Sequence, residues 1–170
     1  HTYAKKGVYL IKIHEEGTND VNLELMPGGF GGLKFYMNRF DVNYRGSDRL
    51  KLLEIRNWGC FRWMSAGTFP AEHNTFLGCE NLDIVACDQP NVYMGTNYEM
   101  KGAFKNCTNL KGLNHPTSFS AWDTSMCRDM GQCFENTQFN CDIQKWNTTE
   151  VIDFPGMFRG NTKFNYKLTP

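Results

Sequence analysis

Seven cysteines and four histidines are the residues of this chain best equipped for chemistry: Cys60, Cys79, Cys87, Cys107, Cys127, Cys133 and Cys141, with His1, His14, His73 and His115. A thiolate can hold a soft metal or attack a carbonyl, but either role needs company. The usual trace of a zinc site is a Cys-x-x-Cys pair, and no such pair occurs here. A Cys–His nucleophile needs an imidazole beside the thiol, and nothing in the local sequence sets a histidine there. Glycoside hydrolysis needs two carboxyl groups about 5–9 Å apart, and neither Glu15-Glu16 nor Asp41 supplies a context for it. Gly28-Gly29-Phe30-Gly31-Gly32 lacks the Lys-Ser/Thr of a phosphate loop and the spacing of a dinucleotide loop. Asp88-Gln89-Pro90-Asn91 reads as a solvated turn rather than a calcium loop. The expectation is a chain that is not an enzyme and carries no metal or cofactor.

Composition narrows the remaining classes. Eighteen Lys and Arg balance eighteen Asp and Glu, so no net field draws the chain to nucleic acid or to an anionic membrane. Thirteen Phe, seven Tyr and four Trp are more than a disordered chain carries. No apolar run approaches the ~20 residues that span a bilayer, and no basic-then-apolar leader opens the sequence. His1 opens the chain without a Met and Pro170 falls inside a repeating pattern, so the expectation is a piece of a longer protein. An odd cysteine count leaves at least one thiol free or bonded elsewhere.

The elements that would position these residues come in two kinds. Residues 1–62 read as a β-rich N-terminal cap region, with strands at Gly7–His14, Val21–Leu25, Leu33–Met37 and Leu50–Gly59 around the loop at Gly28–Gly32. From residue 63 to 170 an internal recurrence takes over. An anchor Phe is followed five or six residues later by an apolar side chain in Phe76…Leu82, Phe104…Leu110, Phe134…Phe139 and Phe158…Phe164, at anchor spacings of 28, 30 and 24. A second phase recurs as Phe119-Ser120-Ala121-Trp122-Asp123-Thr124-Ser125 and Ile143-Gln144-Lys145-Trp146-Asn147-Thr148-Thr149. The segments before three anchors, 100–104, 130–134 and 154–158, hold apolar groups at i, i+3 and i+4. That spacing predicts short helical turns, with short strands such as Leu82–Ala86 following and the Asp/Asn-Thr dipeptides capping the next turn. The predicted fold class is an α/β repeat: a leucine-rich-repeat-like solenoid of about four units, truncated at its C-terminus, with parallel strands and helical turns after the β-rich cap.

Trp122-Asp123-Thr124-Ser125, Asp129-Met130, Phe139-Asn140-Cys141-Asp142-Ile143, Trp146-Asn147-Thr148-Thr149, Val151, Asp153, Met157-Phe158 and Phe164-Asn165 stand in one register. This stretch resembles the BspA-like leucine-rich repeat, also described as the mycoplasma lipoprotein-associated or bacterial-surface-protein repeat. Cys133 and Phe154 stand where the family usually has Met, and the third unit is one residue short, as in a diverged member. His1 to Ile13 resembles the last strand of the immunoglobulin-like (PKD-like) domain that often precedes such repeats, and Leu53 to Gly59 resembles the entry into the first one. The resemblance implies a secreted or surface-attached scaffold for adhesion or protein binding.

The ladder positions are Phe76, Cys79, Leu82, Phe104, Cys107, Leu110, Trp122, Phe134, Phe139, Trp146, Phe158 and Phe164, expected as core rungs rather than a stacking platform for sugar or bases. Cys79 and Cys107 share one place in their units, as buried thiols or as a disulfide between neighbouring rungs. One pair among Cys127, Cys133 and Cys141 would form in an oxidising compartment. Asn106 and Asn147 head sequons that would accept a glycan on a eukaryotic secretory route. Asp83 and Lys111 are the expected partner-facing residues. The function expected is a non-catalytic interaction or adhesion scaffold at a cell surface or outside the cell, binding a protein or a glycan, with no nucleic acid and no membrane span. The alternatives are an accessory subunit of a larger assembly, or a carbohydrate-binding or carbohydrate-active protein.

Overall fold

The computed structural model describes residues 48–50, 52–58, 62–63, 76–92, 98–112 and 119–167. The strands expected at 7–14, 21–25 and 33–37, the loop at 28–32, all four histidines, Glu15, Glu16, Asp41 and Cys60 lie outside those residues.

Regular structure is short throughout. The strands are β1 (Glu54–Ile55), β2 (Arg62–Trp63), β3 (Asp83–Ile84), β4 (Asn91–Val92), β5 (Tyr98–Glu99) and β6 (Cys127–Asp129). They form three separate parallel pairs, β1–β3, β2–β4 and β5–β6, and an isolated parallel bridge joins Asp129 to Asp153. The register of β5–β6 slips by a residue between Tyr98 and Glu99, which leaves Arg128 as the extra, outward residue of a bulge. Among the described residues of the strand expected over Leu50–Gly59 only Glu54–Ile55 are strand, and the boundary expected after residue 62 falls inside β2.

The α/β leucine-rich-repeat-like solenoid with helical turns is overturned. Among the described residues the only helical element is a 3-10 turn at Asp48–Leu50, and no strand exceeds three residues. The segments expected as helical turns form linked β-turns instead. The reason lies in backbone handedness. Gly102 and Asn106 have φ of 60° and 62°, Gln132 and Asn136 of 57° and 56°, Gly156 and Gly160 of 66° and 72°. Two left-handed residues four apart cannot belong to one right-handed helix, but each fits the third place of a turn that requires positive φ. The turns close by Ala103 N–H to Met100 O at 3.0 Å and Cys107 N–H to Phe104 O at 3.0 Å, with counterparts at Cys133, Met157 and Asn161.

The other amides leave the segment. Gly102, Phe104 and Asn106 donate to the carbonyls of Gly131, Cys133 and Glu135, at 2.8, 3.1 and 2.9 Å. Gln132, Phe134 and Asn136 donate in turn to Pro155, Met157 and Arg159, at 2.9, 2.9 and 2.8 Å. Each recurring segment is thus one rung, and alternate N–H groups serve the rung itself and its neighbour. Buried backbone must find partners, and this alternation supplies them without helix or extended sheet.

Stacking in register puts like side chains over like. Phe76, Phe104, Phe134 and Phe158 form a column with centroids 5.6, 5.7 and 5.8 Å apart and rings 5–12° from parallel. Phe119 enters edge-on against Phe104, Phe134 and Phe139, at 78–85°. Trp122 and Trp146 stack at 6.4 Å. Both arrangements are favoured by the ring quadrupoles, each worth about 0.5–1.5 kcal/mol beyond burial.

Candidate interaction surface

Of the expected ladder, Phe76, Cys79, Leu82, Phe104, Cys107, Leu110, Trp122, Phe134, Phe139 and Trp146 are buried; Phe158 and Phe164 are half-buried and packed on the core. Trp146 donates its indole N–H to Phe119 O at 2.8 Å. The buried aromatics are internal, so they present no stacking platform.

Of the two readings for Cys79 and Cys107 the disulfide is absent, and no disulfide joins any pair among Cys127, Cys133 and Cys141; of the described cysteines only Cys87 is exposed. Burial pushes the Cys79 and Cys127 thiols up to about 12, and those of Cys107 and Cys133 well above the ordinary value. Thiols held protonated are poor nucleophiles and poor metal ligands. The Cys107 thiol instead donates to Phe76 O at 3.0 Å. One rung on, Thr137 holds the equivalent place, with its hydroxyl bonded to Phe134 O at 2.9 Å. The column calls for a small side chain that can donate a hydrogen bond, and Cys107 and Thr137 both satisfy it. Among the described residues, no group of three His, Cys, Asp or Glu could hold a metal ion.

Three of the aspartates, Asp83, Asp129 and Asp88, are engaged with the backbone. Asp83, expected to face a partner, is buried: its Oδ1 accepts from Ile84 N–H at 2.9 Å and from Lys111 and Gly112 N–H at 3.1 Å. Both residues of β3 are buried, and an acid there knits two rungs by accepting donors that would otherwise be orphaned. Lys111 is half-buried, and its carbonyl accepts from Asn140. Asp129 repeats the device, accepting from Gly131 N–H at 2.7 Å and pairing with Lys101 at 3.2 Å. Asp88 accepts from Trp58 N–H at 3.0 Å, so it too works as a cross-link between segments.

Asp123 and Asn147, expected as helix caps, close Asx turns onto Ser125 and Thr149 N–H at 3.0 Å. The Ser125 hydroxyl and N–H hold the Asp123 carboxyl below the usual range. Of the two sequon asparagines, Asn147 is exposed; Asn106 is half-buried, with its side-chain oxygen accepting from Asn136 at 2.8 Å.

Two features escaped the sequence. The first is a column of alternating charge at equivalent places: Lys105, Glu135, Arg159. The Glu135 side chain, 7 % exposed, lies 3.2 Å from Lys105 Nζ and 2.6 Å from Arg159 Nη2. Burial opposes its ionisation, but hydrogen bonds and charge from Arg159 and Lys105 outweigh this and hold its pKa below the usual value. Reading the rungs in register would have exposed the pattern. The second is apolar surface on the last two rungs: Ile152 is 73 % exposed, Phe154 44 % and Met126 36 %. Ile152 donates its N–H to Arg128 O at 2.9 Å, so it joins the row beside the outward residue of β6. Phe154 stands where the earlier rungs bury Met100 and Met130 completely.

Residues 98–170 are similar to the family described as "Mycoplasma protein of unknown function, DUF285". The match begins at β5 and takes in the Phe104, Phe134 and Phe158 rungs. No curated protein and no solved structure matches the chain.

Proposed function

We propose that the chain is a non-catalytic scaffold that binds a protein partner at a cell surface or outside the cell, as its likeness to BspA-like repeats suggests. The observation that carries this reading is the exposed apolar side chain of Ile152, in the row beside the outward Arg128, with exposed Phe154 two residues on. A well-packed protein has little reason to leave such side chains in water unless another surface covers them. The inward use of thiols and carboxylates supports the same reading, because the groups most able to do chemistry serve the stack. The test is binding to isolated surface and matrix proteins by wild type, Ile152→Lys and Leu53→Lys. Leu53 is another exposed apolar residue, 45 % exposed, beside β1. Loss of binding in Ile152→Lys alone is the expected result. Equal binding by all three, or none by any, would sink the proposal.

A further inference from the structure

The sequence holds two Asn-x-Thr sequons, at Asn106 and Asn147, and the fold treats them differently. Asn106 is part of a rung. Its φ is 62°, its N–H donates to Glu135 O at 2.9 Å, and its half-buried side chain accepts from Asn136 Nδ2 at 2.8 Å. From the other side Gly78 N–H donates to the adjoining Lys105 O at 2.8 Å. The hydroxyl that completes this sequon, on Thr108, donates to Glu80 O at 3.3 Å. A sugar on Asn106 would have to share the space between rungs with Asn136.

Asn147 lies on a turn instead. The ring of Trp146 before it is buried and stacked on Trp122 at 6.4 Å, whereas Asn147 itself is exposed. Thr149 N–H donates to Asn147 Oδ1 at 3.0 Å. A backbone N–H can only donate, so the amide oxygen is the atom turned toward the chain. Its Nδ2, the atom a glycan joins, has no acceptor among the described residues.

The exposure belongs to the place and not to a missing neighbour. Asp123 holds the same place 24 residues earlier, with Ser125 N–H on its Oδ1 at 3.0 Å. Neighbouring segments flank it on both sides. Gln89 Oε1 accepts from its N–H and Tyr98 donates its hydroxyl to its carbonyl, both at 2.7 Å. On the other side the adjoining Thr124 hydroxyl donates to Asn147 O at 2.9 Å. Asp123 is exposed all the same. The turn carries this residue outward even inside the stack.

We propose that Asn147 is an acceptor site for an N-linked glycan and that Asn106 is not. The inference rests on the reading that the chain lies at a cell surface or outside the cell, because the donor is an oligosaccharide carried on a polyprenyl diphosphate and met on the secretory route. In the transfer, Asn147 Nδ2 attacks the anomeric carbon and a C–N bond forms. The C–O bond to the diphosphate breaks, its electron pair leaves with the carrier, and Nδ2 gives up one proton to a base of the transferring enzyme. Oδ1 takes no part, so the hydrogen bond from Thr149 N–H survives the modification.

The experiment secretes the whole chain from cultured eukaryotic cells as wild type, Asn147→Gln, Thr149→Ala and Thr149→Ser. Intact mass is measured before and after an amidase that strips N-linked glycans, and the wild-type glycan is located by peptide mapping. Wild type and Thr149→Ser are expected to carry a single glycan, on the Asn147 peptide, and Asn147→Gln and Thr149→Ala none. Comparing Ala with Ser at 149 tests the sequon hydroxyl without altering Asn147. An unmodified wild type, a glycan on the Asn106 peptide, or a Thr149→Ala chain modified as fully as Thr149→Ser overturns the proposal. If the unmodified chain still binds surface proteins in an Ile152-dependent way, the glycan site fails and the scaffold reading stands. A glycan on Asn147 without such binding sinks the scaffold reading and keeps the site.

Discussion

The rung around Phe134 and the rung around Phe158 are built to one pattern but live in different surroundings. Phe134 lies between Phe104 and Phe158, at 5.7 and 5.8 Å, and is closed off by Phe139 at 3.9 Å. Phe158 has Phe134 and Phe164, at 5.8 and 4.1 Å, and remains half-buried. Position 130 is a fully buried Met, whereas the equivalent Phe154 is 44 % exposed. The difference teaches that the pattern encodes a face for each neighbour, not a self-sufficient unit. A rung with described neighbours on both sides is core; a rung with one is core on that side and surface on the other.

The comparison breaks most visibly at the aromatic column. Phe134→Ala should cost about 3–5 kcal/mol, the usual range for emptying a buried aromatic site. Phe158→Ala should cost clearly less, because part of its area is already in water. Urea unfolding of both variants checks this, and equal losses would mean that the last rung is as internal as the middle one.

Next in size is the pair of glycines in the last rung. A Cβ on Gly160 would collide with Asn136 Oδ1, at a φ of 72°. On Gly156, at a φ of 66°, its nearest neighbour would be Arg159 Cβ at 3.6 Å. Gly156→Ala therefore carries mainly the left-handed backbone cost, about 1–2 kcal/mol. Gly160→Ala adds a clash that must move Asn136, so its unfolding midpoint should fall further. A smaller effect at 160 than at 156 would mean that the two rungs are less tightly joined than their hydrogen bonds imply.

These glycines also mark the limit of what the sequence disclosed. The anchor Phe recurrence was legible because apolar side chains over like positions leave a period, and ten of the twelve expected ladder residues are buried. The backbone was not legible. Apolar groups at i, i+3 and i+4 suit a helix and also suit two linked turns, and only the left-handed places separate them. Gly102, Gly156 and Gly160 hint at those places, but Gln132, Asn106 and Asn136 share them without being glycine. Asp83 misled for a related reason: an acid in a short strand looks exposed unless one knows that three N–H groups converge on it. The charge column stayed hidden because Lys105, Glu135 and Arg159 are 30 and 24 residues apart. Of the two readings left open for Cys79 and Cys107 the buried thiol holds, and what the sequence did not disclose is the hydrogen bond by which Cys107 serves the core.

Acid should then act on the joint between the two rungs. Glu135 has its pKa lowered in the fold, so across the window below the ordinary carboxylate value, about 4.3, the unfolded chain binds more protons than the folded one. Stability from this group is complete above that value and is lost as pH falls through the lowered one. Asp123 shares the direction. Glu135→Gln should therefore flatten, without abolishing, the acid limb of a stability–pH curve measured by urea midpoints. An unchanged limb would mean that Glu135 does not tie the middle rung to the last.

The smallest effect belongs to the thiols and separates buried rungs from surface in one measurement. Cys87 is exposed, while Cys79, Cys107, Cys127, Cys133 and Cys141 are buried. At neutral pH a maleimide should label Cys87 promptly and these five only on unfolding, because reaction needs both access and thiolate. Raised pKa values reverse the sign seen for Glu135: the folded chain holds its protons longer, so stability is complete below the ordinary thiol value, about 8.5. It then declines as pH climbs toward the value of about 12 at Cys79 and Cys127. Cys87→Ser should leave the midpoint within about 0.5 kcal/mol of wild type, as for other surface changes. Early labelling of Cys133, fully buried between the Phe104 and Phe158 rungs, would contradict the packed middle on which the contrast with the last rung depends.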